Sequence, residues 1–400
     1  MLVKLFSQSF VGSLVYALTQ WLIIACISKL LSIEATGVYA TALGIVVVVN
    51  VFFNFGIRQI TFTSGTEEVL KLGKAILFSQ LTGLIVASCI LVVFYPELLL
   101  LGVFIYLHKI IESFSEYQYG VYQRSESHYK IAISRIIRSL TYTATFVVTL
   151  YLTHSLSLST LAMAISNAAS FFIVDKFRFK NSDVKDKKRA LNVYFSLGLP
   201  LAITAFLLSL RSVLPRFFIE NEMSFEYVGM FVSYLYLVNA AGIAIQSWSQ
   251  VISPKISIAF NNNDFTQVKS IFLKGGVGVF LYSLVFAIGF YFLGKESVKL
   301  IYSDELNLET STITAILLYM FTTYIASYLG YCVTAIKEFK SQPRIFLLLL
   351  LICIIFVHLS AQMHNLDYII YALAGVSILQ VIILSILFYK KVYQGSYGRG

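Results

Sequence analysis

The chain has 400 residues, of which 58% are hydrophobic and only 12% charged, with a mean hydropathy of +0.80. Soluble domains carry about 25% charged residues, so these figures exclude an ordinary soluble fold and point to an integral membrane protein. The net charge of +10 is no signal for nucleic acid, because in a membrane protein the placement of cations matters more than their sum.

A membrane-spanning helix needs about 20 mostly apolar residues. Twelve stretches meet that length: 7–31, 38–58, 74–95, 98–122, 132–152, 156–174, 192–218, 227–252, 272–293, 311–336, 345–361 and 367–389. They are long apolar runs rather than ten-residue alternations, which excludes a closed β-barrel. The first run is long enough to span and reads as an uncleaved first helix. Cys26, Cys89, Cys332 and Cys353 all fall inside apolar runs, form no CxxC pair and read as small buried hydrophobes.

The fourth span holds three charges. Lys109, Glu112 and Glu116 lie at i, i+3 and i+7, on one helical face, with His108 adjacent and Tyr106, Tyr117, Tyr119 and Tyr122 along the same stretch. Charged side chains inside a bilayer are costly unless they face a partner or a water-filled path, so they are candidate functional residues. A Lys–Glu pair that locks helices together explains two of the three. It leaves one carboxylate over, which could take up a proton or sodium ion during transport.

Between spans six and seven runs a polar segment, Asp175 to Arg189, which reads as a linker joining two six-helix halves. The expected domains are residues 1–175, a basic cytoplasmic linker at 176–191, and residues 192–400. Span seven, LLSLRSVLPRFFIE, carries Arg211 and Arg216 around Pro215, a residue that removes a backbone hydrogen bond and favours a kink. Arg216 reads as a snorkelling or Glu220-paired residue near the membrane boundary. Arg211 lies deeper, and its planar fork suits phosphate, so it points to an anionic substrate. Span eight adds Asn239, Gln246, Trp248 and Gln250, and span two adds Asn50 and Asn54. Such side chains can bond and stack on sugars or serve as interhelical glue.

The cations are unevenly placed. Arg58, Lys71, Lys74, Arg124, Lys130, Arg135, Arg138, the run from Lys176 to Arg189, Lys255, Lys269, Lys274, Lys337, Lys340 and Arg344 fall in or beside loops on the side of the termini. Only Lys29, Lys295 and Lys299 fall on the other side, where Glu220, Glu222, Glu226, Asp304, Glu305 and Glu309 are found. The positive-inside rule then places both termini in the cytoplasm. A weak internal echo accompanies this count. Glu34-Ala35-Thr36-Gly37-Val38-Tyr39 and Glu226-Tyr227-Val228-Gly229-Met230-Phe231 both open the span that follows a first helix. Tyr119-Gly120 and Gly330-Tyr331 sit late in spans four and ten. Two halves of equal orientation place a substrate site between them.

No P-loop, metal-ligand cluster or Ser/His/Asp order is present. No covalent catalysis, cofactor or metal is therefore expected, and the chain reads as a non-enzyme.

The opening SFVGSLVYALTQWLIIACISKLLSIEATGVYATALGI resembles the first two helices of polysaccharide exporters and O-antigen flippases of the multidrug/oligosaccharidyl-lipid/polysaccharide (MOP) superfamily. LPRFFIENEMSFEYVGMFVSYLYLV, QSWSQVISPKIS and LGYCVTAIKEFKSQ resemble the second half of the same family. The resemblance implies an all-α membrane protein with 12 transmembrane helices in two six-helix lobes around a central cavity. It implies alternating access in the bacterial inner membrane, carrying an undecaprenyl-pyrophosphate-linked O-antigen or capsule repeat unit to the periplasmic leaflet. Arg211 is the residue that the resemblance carries over as a candidate substrate contact, with Arg216 in the same segment; Lys109, Gln246 and Trp248 as candidate substrate contacts, and Glu112 and Glu116 as candidate ion-coupling residues, rest on the reading of the residues alone. The implied partners are the lipid-linked oligosaccharide, membrane lipid and other polysaccharide-assembly proteins, with no nucleic acid. Two alternatives stand beside it: a cation-coupled multidrug exporter of the same fold, and a membrane-embedded glycan polymerase or ligase. The latter would usually need a larger periplasmic loop than the sequence provides.

Overall fold

The computed structural model describes residues 2–63, 73–125, 127–175, 187–302, 306, 308–338 and 341–397. Most of the expected linker at 176–191, together with Lys71, Lys340, Asp304 and Glu305, lies outside these residues. In chain order the helices are α1 Leu2–Leu30, α2 Ile33–Asn54, α3 Ile57–Thr63, α4 Gly73–Phe94, α5 Leu99–Arg124, α6 His128–Thr153 and α7 Leu156–Val174. They continue with α8 Lys187–Glu222, α9 Phe225–Asn261, α10 Phe265–Ile301, α11 Thr310–Ala335, α12 Gln342–Ala361 and α13 Leu366–Tyr397. Among the described residues there is no strand.

Twelve segments are long and apolar enough to cross a membrane. They match the expected twelve in order, and the all-α fold read from the sequence is borne out. Their outer surface is apolar: Phe78, Val93, Ile173, Val285 and Leu300 are each at least 70% exposed. A surface of that kind is stable only in lipid, so this is a multi-pass membrane protein.

Helix ends follow local chemistry. Ser32 caps α2 by accepting from the Ala35 amide at 3.0 Å, and Asp264 caps α10 by accepting from the Gln267 amide at 2.9 Å. At the other end of α2, Phe55 and Gly56 take left-handed conformations, φ 50° and 59°. This breaks the second span and starts the separate short helix α3. Gly56 is the residue type that adopts such a backbone without strain.

The eighth and ninth crossings are longer than expected. α9 and α10 each run 37 residues, about 55 Å at 1.5 Å per residue, against a hydrocarbon layer of about 30 Å. Their polar flanks remain helical, so Lys255, Lys269, Lys274, Lys295 and Lys299 sit on helical extensions rather than in loops.

The chain divides into two compact units, Met1–Arg216 and Phe217–Gly400. The division falls within α8, whereas the expected lobe boundary lay at 176–191. In the first unit α5 packs against α2, α3, α4 and α7, while α1 and α7 flank α6. In the second unit α11 packs against α9, α10 and α13, and α12 lies on α13. The pairings of spans two, three, four and six with one another thus recur among spans eight, nine, ten and twelve. In each unit the fourth span is the hub.

The two interiors differ in chemistry. Hydroxyls in the second unit donate to main-chain carbonyls: Tyr324 to Val238 at 2.5 Å, Tyr328 to Phe272 at 2.7 Å and Tyr282 to Ala241 at 2.9 Å. Phe272 stacks on Phe388 with centroids 4.3 Å apart. Among the described residues, the ion pairs between helices of the membrane interior lie in the first unit.

Candidate functional site

The hub helix α5 carries the polar face expected of span four, and a cavity of about 280 Å³ opens against it. Lys109, Glu112 and Glu116 line it from α5, Asn50 and Asn54 from α2, Tyr16 from α1, and Arg135, Arg138 and Tyr142 from α6.

Lys109 and Glu112 form an ion pair, Nζ to Oε2 at 2.6 Å, on adjacent turns of α5. The second oxygen of Glu112 lies 3.4 Å from His108 Nε2 and accepts from the Tyr16 hydroxyl at 3.0 Å. Glu112 therefore ties α5 to α1. His108 is itself buried, packs edge-on to Tyr142 at 4.8 Å and meets Asn167 at 3.1 Å. A buried carboxylate with this many donors is held as a charge-assisted network rather than as an isolated ion.

One turn further along α5, Glu116 is shared by two guanidiniums. Arg135 Nη2 lies 2.9 Å from its Oε1, and Arg58 Nη1 lies 3.2 Å from its Oε2. Both guanidiniums also lie over the Tyr119 ring, at 5.2 Å and 5.9 Å from its centroid. The expectation that one carboxylate is left over is thereby corrected. Glu112 takes Lys109, and Glu116 takes two arginines delivered by α3 and α6.

A third cluster is more deeply buried, with the Arg138 and Asp175 side chains 4% and 1% exposed. Arg138 donates to Asn167 Oδ1 at 2.7 Å, contacts Ser115, lies 3.6 Å from Asp175 Oδ2, and stands over the Phe171 ring at 5.2 Å. Ser134 donates to the same Asp175 oxygen at 2.8 Å. Asp175 follows the last residue of α7, outside the membrane-spanning segment. Burial pushes its carboxyl up from the usual range, against the lowering effect of Arg138 and Ser134.

Arg58, Arg135 and Arg138 were counted above with the loop cations. Their helices carry them inside instead: the fifth span starts at Tyr129 and the second continues to Thr61. The signal in the sequence was the i, i+3 spacing of Arg135 and Arg138, which puts both on the face that meets α5. Periodicity does not reveal their partners, which lie on other helices.

The remaining expected contacts do not line this cavity. Arg211 is half-buried on α8. Arg216 donates to the Ala40 carbonyl of α2 at 2.8 Å, where Gly44 admits α8: a Cβ on Gly44 would stand 2.6 Å from Val213. Arg216 is thus a helix-to-helix tether within the first unit. Gln246 and Trp248 belong to the second unit. Gln246 is exposed, and Trp248 donates its indole N–H to the Gly275 carbonyl at 3.2 Å.

Twelve apolar crossings, a repeated packing order and an ion-lined cavity define a helical membrane protein built like a secondary transporter. The chain belongs to the polysaccharide biosynthesis protein family, whose model matches residues 26–307. It is 27% identical to the capsular polysaccharide biosynthesis protein CapF of Staphylococcus aureus, over 98% of this chain and 100% of that one. Among solved structures, an inward-facing multidrug resistance MATE-family transporter of the MOP superfamily superposes with a TM-score of 0.71. That match has 13% identity and covers 99% of this chain and 96% of that one. A MOP-superfamily transporter from Pyrococcus furiosus superposes with a TM-score of 0.66 at 11% identity, covering 98% and 96%. The resemblance to a polysaccharide-assembly family drawn from the sequence is borne out, and the solved structures share the fold expected of it.

Proposed function

We propose that the protein is a flippase. It moves an undecaprenyl-pyrophosphate-linked oligosaccharide, an O-antigen or capsule repeat unit, from the cytoplasmic to the periplasmic leaflet by alternating access. The observation that carries this reading is the ion-lined cavity inside a lipid-facing helical chain of a polysaccharide biosynthesis family. The capsule-related name of the relative that spans nearly the whole chain supports the glycan class. On this reading the protein lies in the inner membrane with both termini cytoplasmic, alongside other polysaccharide-assembly proteins. The two halves correspond to residues 1–175 and 192–400, joined at 176–191. Arg211, Lys109, Gln246 and Trp248 are its substrate contacts, Glu112 and Glu116 couple transport to an ion, and Arg216, expected among the contacts, serves instead to hold α8 to α2.

The fold likeness to multidrug transporters favours a second reading, a cation-coupled drug exporter. The cavity argues for the first. Its lining carries Lys109, Arg135 and Arg138 as well as two carboxylates, and guanidinium forks suit oxyanions better than cationic drugs.

Deleting the gene tests the proposal. Lipid-linked oligosaccharide should accumulate on the cytoplasmic leaflet and surface glycan should fall. Normal surface glycan in a strain lacking any redundant flippase would overturn it.

A further inference from the structure

We propose that a ridge of amide side chains on α9, made by Asn239, Gln246 and Gln250, binds the uncharged hydroxyl groups of the oligosaccharide. The proposal rests on the flippase reading for its sugar, whereas the chemistry of the ridge is local to the second unit.

Three observations carry it. First, the ridge suits water or a polar group and not lipid. Asn239, Ile243, Gln246, Gln250 and Ser253 follow one another at three- and four-residue steps, along one face of the helix. Asn239 sits near the middle of the apolar run 227–252. Asn239 and Gln246 are exposed, and neither makes a side-chain hydrogen bond among the described residues. An amide left unsatisfied in hydrocarbon is costly, and an amide acting as glue between helices has a partner side chain or carbonyl.

Second, the neighbours of α9 in its own unit attach to other faces. Tyr324 of α11 donates to the Val238 carbonyl, Tyr282 of α10 to the Ala241 carbonyl, and Trp248 turns its indole N–H to Gly275 of α10. At 3.6 residues per turn these points lie roughly a quarter-turn or more round the helix from the ridge. Only at the end of the ridge does α11 come close, where Gln250 donates to the Tyr331 hydroxyl at 3.4 Å.

Third, the position repeats. Aligned on the echo at Glu34 and Glu226, Gln246 corresponds to Asn54, an amide that lines the cavity of the first unit. That cavity is lined by ions as well, but α9 carries no charged residue from Tyr227 to Ser253. An amide both donates and accepts, as a sugar hydroxyl does, and offers no counter-ion to a charged group. Asn239 and Gln250 stand about 17 Å apart along the helix, which leaves room for more than one sugar ring.

The full-length protein in lipid nanodiscs tests this with Asn239→Cys and Gln246→Cys made singly. A charged methanethiosulfonate, which reacts with thiols that water reaches, should label both above the background set by the four native cysteines. Maltotriose or chitotriose, both uncharged, should slow that labelling, and inorganic pyrophosphate should not. Absence of labelling, labelling slowed by neither trisaccharide, or equal slowing by pyrophosphate overturns the ridge. In the gene-deleted strain, the pair Asn239→Leu/Gln246→Leu keeps bulk and removes the hydrogen bonds. It should lower surface glycan by about tenfold at equal protein level, the scale of two neutral hydrogen bonds. Asn239→Gln/Gln246→Asn, which keeps both amides, should restore part of it. Full surface glycan from the leucine pair also overturns the proposal, and the labelling carries the test should that pair fail to fold. A deletion strain that never loses its glycan defeats the flippase reading instead, and leaves the labelling result standing.

Discussion

Lys109 and Glu112 show how a charged pair can hold a membrane interior together without adding much to stability. Their side chains are only 12% and 20% exposed. Breaking such a pair from one side leaves the other ion stranded, at about 3 kcal/mol, whereas replacing both costs far less. Glu112→Ala should therefore lower the thermal unfolding temperature in detergent well below that of the double variant Lys109→Ala/Glu112→Ala. A double variant no more stable than the single one would show that the two charges are not coupled. Asp175→Ala should be comparably damaging, because Arg138 is 3% exposed and would lose its carboxylate. The pair Lys391–Glu338, with the Lys391 side chain 48% exposed, should behave differently: Lys391→Ala should change stability by under about 1 kcal/mol. The face shared by Lys109, Glu112 and Glu116 was legible in the sequence because helical period alone fixes it. The partners of Glu116 were not, since Arg58 and Arg135 meet it only through the packing of α3 and α6 on α5. Their positions at the ends of apolar runs made them look like loop cations.

At the level of helices, close approach depends on a few small residues. Gly83 on α4 faces Tyr106 of α5 so closely that a Cβ would stand 1.9 Å from the tyrosine hydroxyl. Gly83→Ala should destabilise the protein by about 1–3 kcal/mol through overpacking. Adding Tyr106→Phe, which removes the clashing oxygen, should recover much of that loss in the same unfolding assay. If it does not, the α4–α5 contact is set elsewhere, for instance by Phe53, which lies 3.0 Å from the same position. Helix number and order were readable because a bilayer imposes a length on every crossing. Helix ends were less so. Hydropathy falls where polar residues begin, but α9 and α10 continue as helix through those residues. The break between α2 and α3 at Phe55 and Gly56 lies beside Asn54 and Gly56, residue types that favour a helix end, within a stretch whose apolar residues read as one crossing.

For the whole molecule, the uneven distribution of cations makes a topological prediction. A reporter active only in the cytoplasm should be active at both termini, and one active only in the periplasm should be silent there. The reverse result would invert the orientation. Transport itself should depend on Arg211. On the flippase reading, its replacement by Gln should reduce flipping of lipid-linked oligosaccharide by about tenfold or more, the scale of one charge-assisted hydrogen bond. Unchanged flipping would remove Arg211 from the substrate path.

The buried ion pairs described in the first unit, beside the hydroxyl–carbonyl bonds and stacked rings described in the second, set how each can drift over generations. A tyrosine hydroxyl bound to a helix carbonyl, or a ring stacked on a ring, can be traded for another apolar side chain one step at a time, each step costing little. A charge such as Glu116 cannot change alone without leaving Arg58 and Arg135 facing each other. Descendants of this chain should therefore vary residue by residue in the second unit, while the first keeps or exchanges its charges as whole sets.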